Sequence, residues 1–276
     1  MIDRIAEWCG EDALPTRAEF GALYPWRIVA SYARTVEHAR RVVDARRNLD
    51  EARDLGRDWR LAVSCGKDST ALALLCAEEN WRPRGMSVKD DLDYPGERRY
   101  LDALAARAGI VVDVLSPAES LVTFLRREGV SLVEDTHSRA AELSSTHFYG
   151  LIDSYRAREG YDGVLLGLRA EESRARRMNV ATRGTLYERT NGLAVAQPLA
   201  NWTALDVHAF LLEREVPLLP VYLCIDPGAD PFALRKSWWI AGGGPARHGH
   251  YVWLRRWWPR LWALAVEIDP LVEGVS

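Results

Sequence analysis

Leu61-Ala62-Val63-Ser64-Cys65-Gly66-Lys67-Asp68-Ser69-Thr70 decides the fold, because a short apolar run turns there through small and polar residues into the helical pattern of residues 71–80. The order is strand, loop, helix. Gly66 lets the backbone bend and come close to a ligand, and the first amides of the helix that follows lack intrahelical acceptors. An anion suits such a loop. The positive end of the helix dipole, Lys67 and the hydroxyls of Ser64 and Ser69 would together hold a phosphate group. An ordinary strand-to-helix turn with N-terminal caps uses the same residue types, so the loop by itself leaves both readings open.

A Walker A loop in this register needs Gly at position 61 and Ser or Thr at 68; Leu61 and Asp68 exclude it. Residues 64–70 instead resemble the SGGxDS pyrophosphate loop of the adenine-nucleotide alpha-hydrolase superfamily, with Cys65 where many members have the first Gly. The resemblance implies cleavage of ATP between its α and β phosphates.

Outward from the loop, strands and helices alternate. Leu72, Leu74, Leu75 and Cys76 mark a helix buried on most sides, residues 85–88 read as a second strand, and Pro95 opens a helix with Leu101, Leu104, Ala105 and Ala108 inward. Residues 110–115 form a third strand, and Ser116-Pro117-Ala118-Glu119 has capping-box spacing with Pro at the first helical position, which predicts a helix start. A helix over 140–158, strands over 163–167 and 194–197, and a helix capped by Thr203 with Asp206 three residues on continue the series. The expected fold is α/β, a doubly wound, mainly parallel sheet of about five strands with helices on both faces. Residues 1–57 form an N-terminal helical extension, 58–225 the nucleotide-binding domain and 226–276 a basic, Trp-rich helical tail. In the extension, residues 27–54 are an amphipathic helix, or two, with Ile28, Tyr32, Val36, Ala39, Val43, Leu49, Ala52 and Leu55 toward the core.

With 276 residues, 48% hydrophobic and 27% charged, the chain is in the globular class, and a net charge of −3 gives no global pull toward nucleic acid or anionic membrane. Neither a signal-like start nor a run of about 18 apolar residues is present, so no membrane association and a cytoplasmic location are expected. Cys9, Cys65, Cys76 and Cys224 form no CxxC pair; buried thiols are expected, and no disulfide framework, zinc knuckle or iron–sulfur cluster. His248 and His250 lie in a Gly-rich stretch without nearby carboxylate or Cys, which favours a plain loop over a metal site.

Two further stretches carry chemistry. Lys89-Asp90-Asp91-Leu92-Asp93-Tyr94-Pro95 puts three carboxylates at a strand's carboxyl end, where they would meet a ribose, an adenine amine or Mg²⁺ through water, or serve only as a helix-start cluster. Residues 169–183 hold five Arg (169, 174, 176, 177, 183) against Glu171 and Glu172. Such a local excess suits an oligophosphate or sulfate, although an exposed ion-paired helix has the same composition.

Taken in order, SCGKDS, Asp91-x-Asp93-Tyr94-Pro95-x-Glu97, GLRAEESRAR from Gly167, Gln197-Pro198-Leu199-Ala200-Asn201-Trp202-Thr203-x-x-Asp206-Val207 and 217–222 resemble the phosphoadenosine phosphosulfate (PAPS) reductase-like family from Trp59 to Tyr222, and are also similar to the small subunit of sulfate adenylyltransferase. The resemblance implies ATP, with Mg²⁺, held by Ser64, Cys65, Gly66, Lys67, Asp68, Ser69, Asp91, Gly167 and Glu172. It also implies that Lys67, Asp68, Arg169 and Arg174 act at the reacting phosphates, Asp68 orienting the loop or the metal. The reductases' C-terminal Cys followed by Gly and His has no counterpart here, since the last cysteine is Cys224. No thiol is then positioned for attack on sulfur. AMP transfer with release of pyrophosphate is expected, in sulfur metabolism or sulfur incorporation. PAPS or APS reduction, sulfate adenylyltransferase-like activity and a non-catalytic nucleotide-binding subunit are the alternatives. Sulfur, where it is transferred, arrives from a partner such as a cysteine desulfurase, as in DNA phosphorothioation. Residues 235–260 carry Arg235, Lys236, Arg247, Arg255, Arg256 and Arg260 among Trp238, Trp239, Trp253, Trp257 and Trp258, which suits DNA. The helical spacing of Trp253, Trp257, Leu261 and Leu264, with Pro259 starting a new helix, suits packing on the core, which is the commoner use of such residues.

Overall fold

The computed structural model describes residues 2–134, 137–234, 236 and 250–275. Among these, the apolar runs become β1 (Trp59–Ala62), β2 (Arg84–Val88), β3 (Val112–Leu115), β4 (Gly163–Leu165), β5 (Leu186–Glu188) and β6 (Ala194–Ala196), in one sheet ordered β3-β2-β1-β4-β6-β5. Every pairing is parallel except β5 with β6. The α/β sheet is as expected, with one strand more: β5 is a three-residue edge strand carrying no apolar run, and only its pairing with β6 makes it a strand. β1 has β2 on one side and β4 on the other, so the strand order reverses there. The crevice outside the carboxyl ends of β1 and β4 is the place where such sheets bind ligands.

β1 runs into α4 (Lys67–Glu78), buried continuously from Ser69 to Cys76. α5 (Glu97–Ala108) buries Tyr100, Leu101, Leu104 and Ala108. The next helix, α6 (Leu121–Arg127), does not start at Ser116 as its spacing suggested. Its first amides find other acceptors: Thr123 N donates to Ser120 Oγ, four residues beyond Ser116, at 3.1 Å, and Leu121 N to Asp91 Oδ1, thirty residues earlier, at 3.1 Å. α7 (His137–Glu159) leads to β4, and α8 (Arg174–Arg183) to β5.

The N-terminal region folds as α1 (Ile2–Cys9), α2 (Trp26–Ala33) and α3 (Val36–Asp54). Its predicted inward face needs correction. Leu49 and Ala52 are buried as expected, but Ile28, Val36, Ala39, Val43 and Leu55 are exposed, and Val29, His38, Val42 and Ala45 are buried in their place. The break at Thr35, which caps α3 by accepting from His38 N at 3.2 Å, resets the helical phase. His38 is then drawn inward, its Nδ1 lying 3.1 Å from Asp206 Oδ1.

Asp206 belongs to α9 (Ala204–Glu213), where the expected capping box forms: its carboxylate accepts from Thr203 N at 2.7 Å, and Thr203 Oγ1 accepts from Asp206 N at 3.2 Å. Tyr32 OH at 2.9 Å and Arg41 Nη1 at 3.2 Å also donate to this fully buried carboxylate, so one side chain fastens α2 and α3 to α9.

At the other end, the helices His250–Trp257 and Pro259–Ile268 and the Trp258 between them lay Trp253, Leu254, Trp257, Trp258 and Leu261 into the apolar core. Trp253 Nε1 donates to Cys224 O at 2.7 Å and Trp257 Nε1 to Asp226 Oδ1 at 3.0 Å. For the described tail the packing reading holds, since these ring faces are not open to bases. Arg235, Trp238, Trp239, Arg247 and His248 lie outside the described residues. Among the described residues no helix is long and apolar enough to cross a membrane.

Asp206→Ala should be severely destabilising, because it removes the acceptor of His38 Nδ1, Tyr32 OH and the Thr203 amide and one of the partners of Arg41. Breaking a buried charge pair costs about 3–5 kcal/mol, and at about 2–4 °C per kcal/mol for a chain of this size calorimetry should show Tm falling by roughly 6 °C or more. Burial pushes the Asp206 carboxyl up, but the hydrogen bonds from His38, Thr203 and Tyr32 outweigh it and hold it below the ordinary carboxylate range. Its stabilisation is therefore complete above about pH 4 and lost as pH falls through the depressed value, so the Tm gap between wild type and variant should narrow in acid.

Candidate active site at the β1 and β4 carboxyl ends

The loop after β1 is shaped by its own side chains. Cys65 takes φ 58°, the left-handed conformation that costs an L-residue about 1–2 kcal/mol. Its buried Sγ packs 3.6 Å from Lys89 Nζ and 3.7 Å from Glu97 O, which holds the turn in place. Burial pushes this thiol up, away from thiolate chemistry. The turn brings the Ser64 and Ser69 hydroxyls to 3.1 Å, Ser64 N donates to Ser69 Oγ at 3.2 Å, and Ser69 Oγ donates to Gly66 O at 3.0 Å. At the start of α4, Lys67 N donates to Tyr222 OH at 3.1 Å.

β4 closes the other side. A Cβ on Gly167 would fall 2.8 Å from the Asp68 carbonyl and 2.9 Å from Ser69 N, so only glycine lets the chain leave β4 across the first turn of α4. Two residues on, Arg169 is buried, its Nε 2.5 Å from Asp68 Oδ1 and its Nη1 2.9 Å from Glu171 Oε1. Asp68 Oδ2 also lies 3.3 Å from Lys67 Nζ. Burial pushes the Asp68 carboxyl up, yet Lys67 and Arg169 together hold it below its ordinary value. Asp68 is thus an anionic clamp and a poor proton acceptor. Glu172 Oε2 accepts from Arg169 N at 2.9 Å and from Arg176 Nη1, while Ser173 caps α8.

Between these walls lies a cleft of about 250 Å³. Of the residues expected at the site, Ser64, Gly66, Lys67, Asp68, Ser69, Gly167 and Glu172 line it. Cys65 shapes the loop from beneath, and Arg169 stands behind Asp68. Arg174 is exposed on α8 and is not in the lining. Asp91 is exposed, is likewise absent from the lining, and accepts from Leu121 N at the start of α6. Tyr222, Arg176 and Lys236 also line the cleft, though none of them was assigned to the nucleotide. Tyr222 closes the 217–222 motif, Arg176 sits in the Arg-rich stretch and Lys236 in the basic tail, so each had a signal, although that of Lys236 pointed to DNA and not to this cleft.

Lys236 adjoins a buried charge cluster. Glu97 Oε2 is 2.6 Å from Lys89 Nζ and 2.5 Å from Lys236 Nζ, and Asp93 lies 3.4 Å and 3.5 Å from the same two ammonium groups. Burial, then Glu97, pushes the Asp93 carboxyl up to about 6. Among the described residues no group of three His, Cys, Asp or Glu forms a metal cage. Mg²⁺ carried on nucleotide phosphates needs none, because it binds through phosphate oxygens, water and one or two carboxylates.

A family model described as phosphoadenosine phosphosulfate reductase domain matches residues 59–224. Among solved structures, the PAPS reductase of Candida auris in a phosphate complex superposes with a TM-score of 0.50 at 18% identity, covering 63% of this chain and 81% of that one, and supports the fold. The FMN adenylyltransferase of Candida glabrata with FMN and the ATP analogue AMPCPP gives 0.49 at 12% identity, covering 83% of this chain and 82% of that one. The NMN synthetase of Francisella tularensis gives 0.44 at 13% identity, covering 84% of each chain. No curated protein matches the chain.

Gly167→Ala should push β4 off the loop, since the atoms that its Cβ meets are backbone. Overpacking of this kind costs about 1–3 kcal/mol. Calorimetric titration with pyrophosphate should show at least ten-fold weaker binding than wild type; unchanged affinity would mean that the contact does not shape the anion site.

Proposed function

We propose that this chain, which belongs to the phosphoadenosine phosphosulfate reductase domain family, binds ATP over residues 64–69 and cleaves it between the α and β phosphates, passing AMP to an acceptor and releasing pyrophosphate. The observation that carries this reading is the loop itself: two serine hydroxyls 3.1 Å apart and Gly66 at the positive end of α4, opening on a cleft at the point where the strand order reverses. As the acceptor attacks the α phosphorus, the bond to the departing pyrophosphate breaks and negative charge grows on its oxygens. Donors already fixed by the fold stabilise that charge without reorganising. Mg²⁺ bound with the nucleotide phosphates supplies further neutralisation. Asp68 orients Lys67 and Arg169 and takes no proton.

Sulfur chemistry remains the context we infer, with a partner as donor. All four cysteines are buried, and burial pushes the Cys224 thiol up, so the chain offers no nucleophilic thiolate for reducing PAPS. A cysteine desulfurase is a partner of the required kind. α8 buries no residue and carries Arg174, Arg176, Arg177 and Arg183 with no acidic side chain, a surface suited to a phosphate-bearing acceptor, DNA included, as phosphorothioation requires. A non-catalytic nucleotide-binding subunit would show thermal stabilisation by ATP without turnover.

Incubation with α- and γ-labelled ATP and candidate acceptors should yield AMP or an adenylate together with pyrophosphate; ADP and orthophosphate as the sole products overturn the proposal. Arg174→Ala separates chemistry from stability because the residue is exposed. Its Tm should stay within about 1 °C of wild type, as for surface charges, while kcat/KM falls about 30-fold or more if the guanidinium meets the reacting phosphate. Arg169→Ala should lose Tm as well, since Asp68 loses one of its two buried partners. Sulfite formation from PAPS and thioredoxin, abolished by Cys224→Ser, would favour reduction instead.

A further inference from the structure

The chain has three lysines among its 36 basic residues, and all three meet at this site: Lys67 in the loop, Lys89 after β2, and Lys236 from the tail. Arginine serves every other basic position. An ammonium differs from a guanidinium in being a compact point charge whose three donors diverge. Lys67, the cation that the loop sequence assigns to the phosphates, is folded back. It is 2% exposed, with Nζ 3.3 Å from Asp68 Oδ2, 3.5 Å from Leu234 O and 5.1 Å from the centre of the Tyr222 ring.

Lys236 stands forward of it. The residue lies beyond position 224, where the family match ends, and its side chain, 14% exposed, is in the cleft wall. Its Nζ donates to Ser64 O at 2.6 Å and to Glu97 Oε2 at 2.5 Å, while its remaining contact, Asp93 Oδ1, is long at 3.5 Å. Glu97 is buried and braced from behind by Lys89. Two of the three donors are therefore anchored to the loop and to a buried carboxylate, and the third has a weak partner beside the space that the Ser64 and Ser69 hydroxyls face.

We propose that Lys236 is a phosphate ligand of the nucleotide, supplied by the tail to a site whose other parts lie in the family domain, with Glu97 and Lys89 as positioning residues. The third donor turns from Asp93 to a phosphate oxygen, and the other two keep the ammonium in place. This rests on the nucleotide reading above, and it adds the tail as a working part of the site.

The test is binding of three probes, pyrophosphate, α,β-methylene-ATP and adenosine, to wild type and to Lys236→Met. The variant should bind pyrophosphate and the ATP analogue at least ten-fold more weakly and adenosine within two-fold of wild type. Unchanged pyrophosphate affinity overturns the proposal, and so does an equal loss for adenosine and pyrophosphate, the mark of a merely structural lysine. Should Lys236→Met fail to fold, amine acetylation of the wild-type protein decides. With only three lysines, mass spectrometry should show Lys236 protected by pyrophosphate, and absence of protection overturns the assignment. If wild type binds none of the probes, the nucleotide reading falls together with this one. Weakened binding by the variant without any ATP turnover in wild type upholds the ligand and removes only the proposed reaction.

Discussion

The close approach of Gly167 to the first turn of α4 is the contact on which the cleft depends. With no Cβ at 167, the backbone leaving β4 rests on Asp68 and Ser69, and the residues that follow are aimed back over the loop. Arg169 then reaches Asp68, Glu172 turns to Arg176, and Ser173 caps α8, so one steric allowance organises the arginine-rich side. The opposite wall depends on Cys65, whose left-handed backbone turns Ser64 toward Ser69 while its sulfur packs on Glu97 and Lys89. Strain of about 1–2 kcal/mol at one residue is tolerated because packing on both sides over-determines it.

Buried charge is handled by pairing throughout. Asp68 sits between Lys67 and Arg169, Glu97 between Lys89 and Lys236, and Asp206 among His38, Arg41, Tyr32 and Thr203. An uncompensated charge in such surroundings would cost several kcal/mol, so each carboxylate also specifies which elements must meet. Asp206 joins the N-terminal helices to α9, and Glu97 joins α5 to the tail. Asp68 joins β4 to the loop. The three clamps lie on the sheet's binding edge or directly behind it, which makes the site a product of long-range electrostatics as much as of the loop's own turn.

Much of this was legible along the chain. A turn from apolar run to small residues to helix, the strand and helix alternation after it, and the Thr203 and Asp206 capping box all depend on neighbours a few residues apart. Such patterns are written in local spacing. Ser64, Gly66, Lys67 and Ser69 were therefore found from residue types that suit an anion, while Asp68, Gly167 and Glu172 came from the resemblance to the family; all seven line one cleft.

What the sequence by itself determined is the class of fold, the succession of the main strands along the chain and the strand-to-helix turn at residues 64–69, because periodicity and caps act within one or two helical turns. Tertiary structure alone decided that His38 at the start of α3 turns inward, since it answers to Asp206, 168 positions away. It also decided where α6 begins, through Asp91, and that Leu186–Glu188 is a strand, through β6. It withdrew Lys67 under Tyr222, set Arg169 behind Asp68 and brought Lys236 to the Ser64 carbonyl. No window of neighbouring residues records those pairings, because a buried charge is positioned by whichever opposite charge the fold delivers to it.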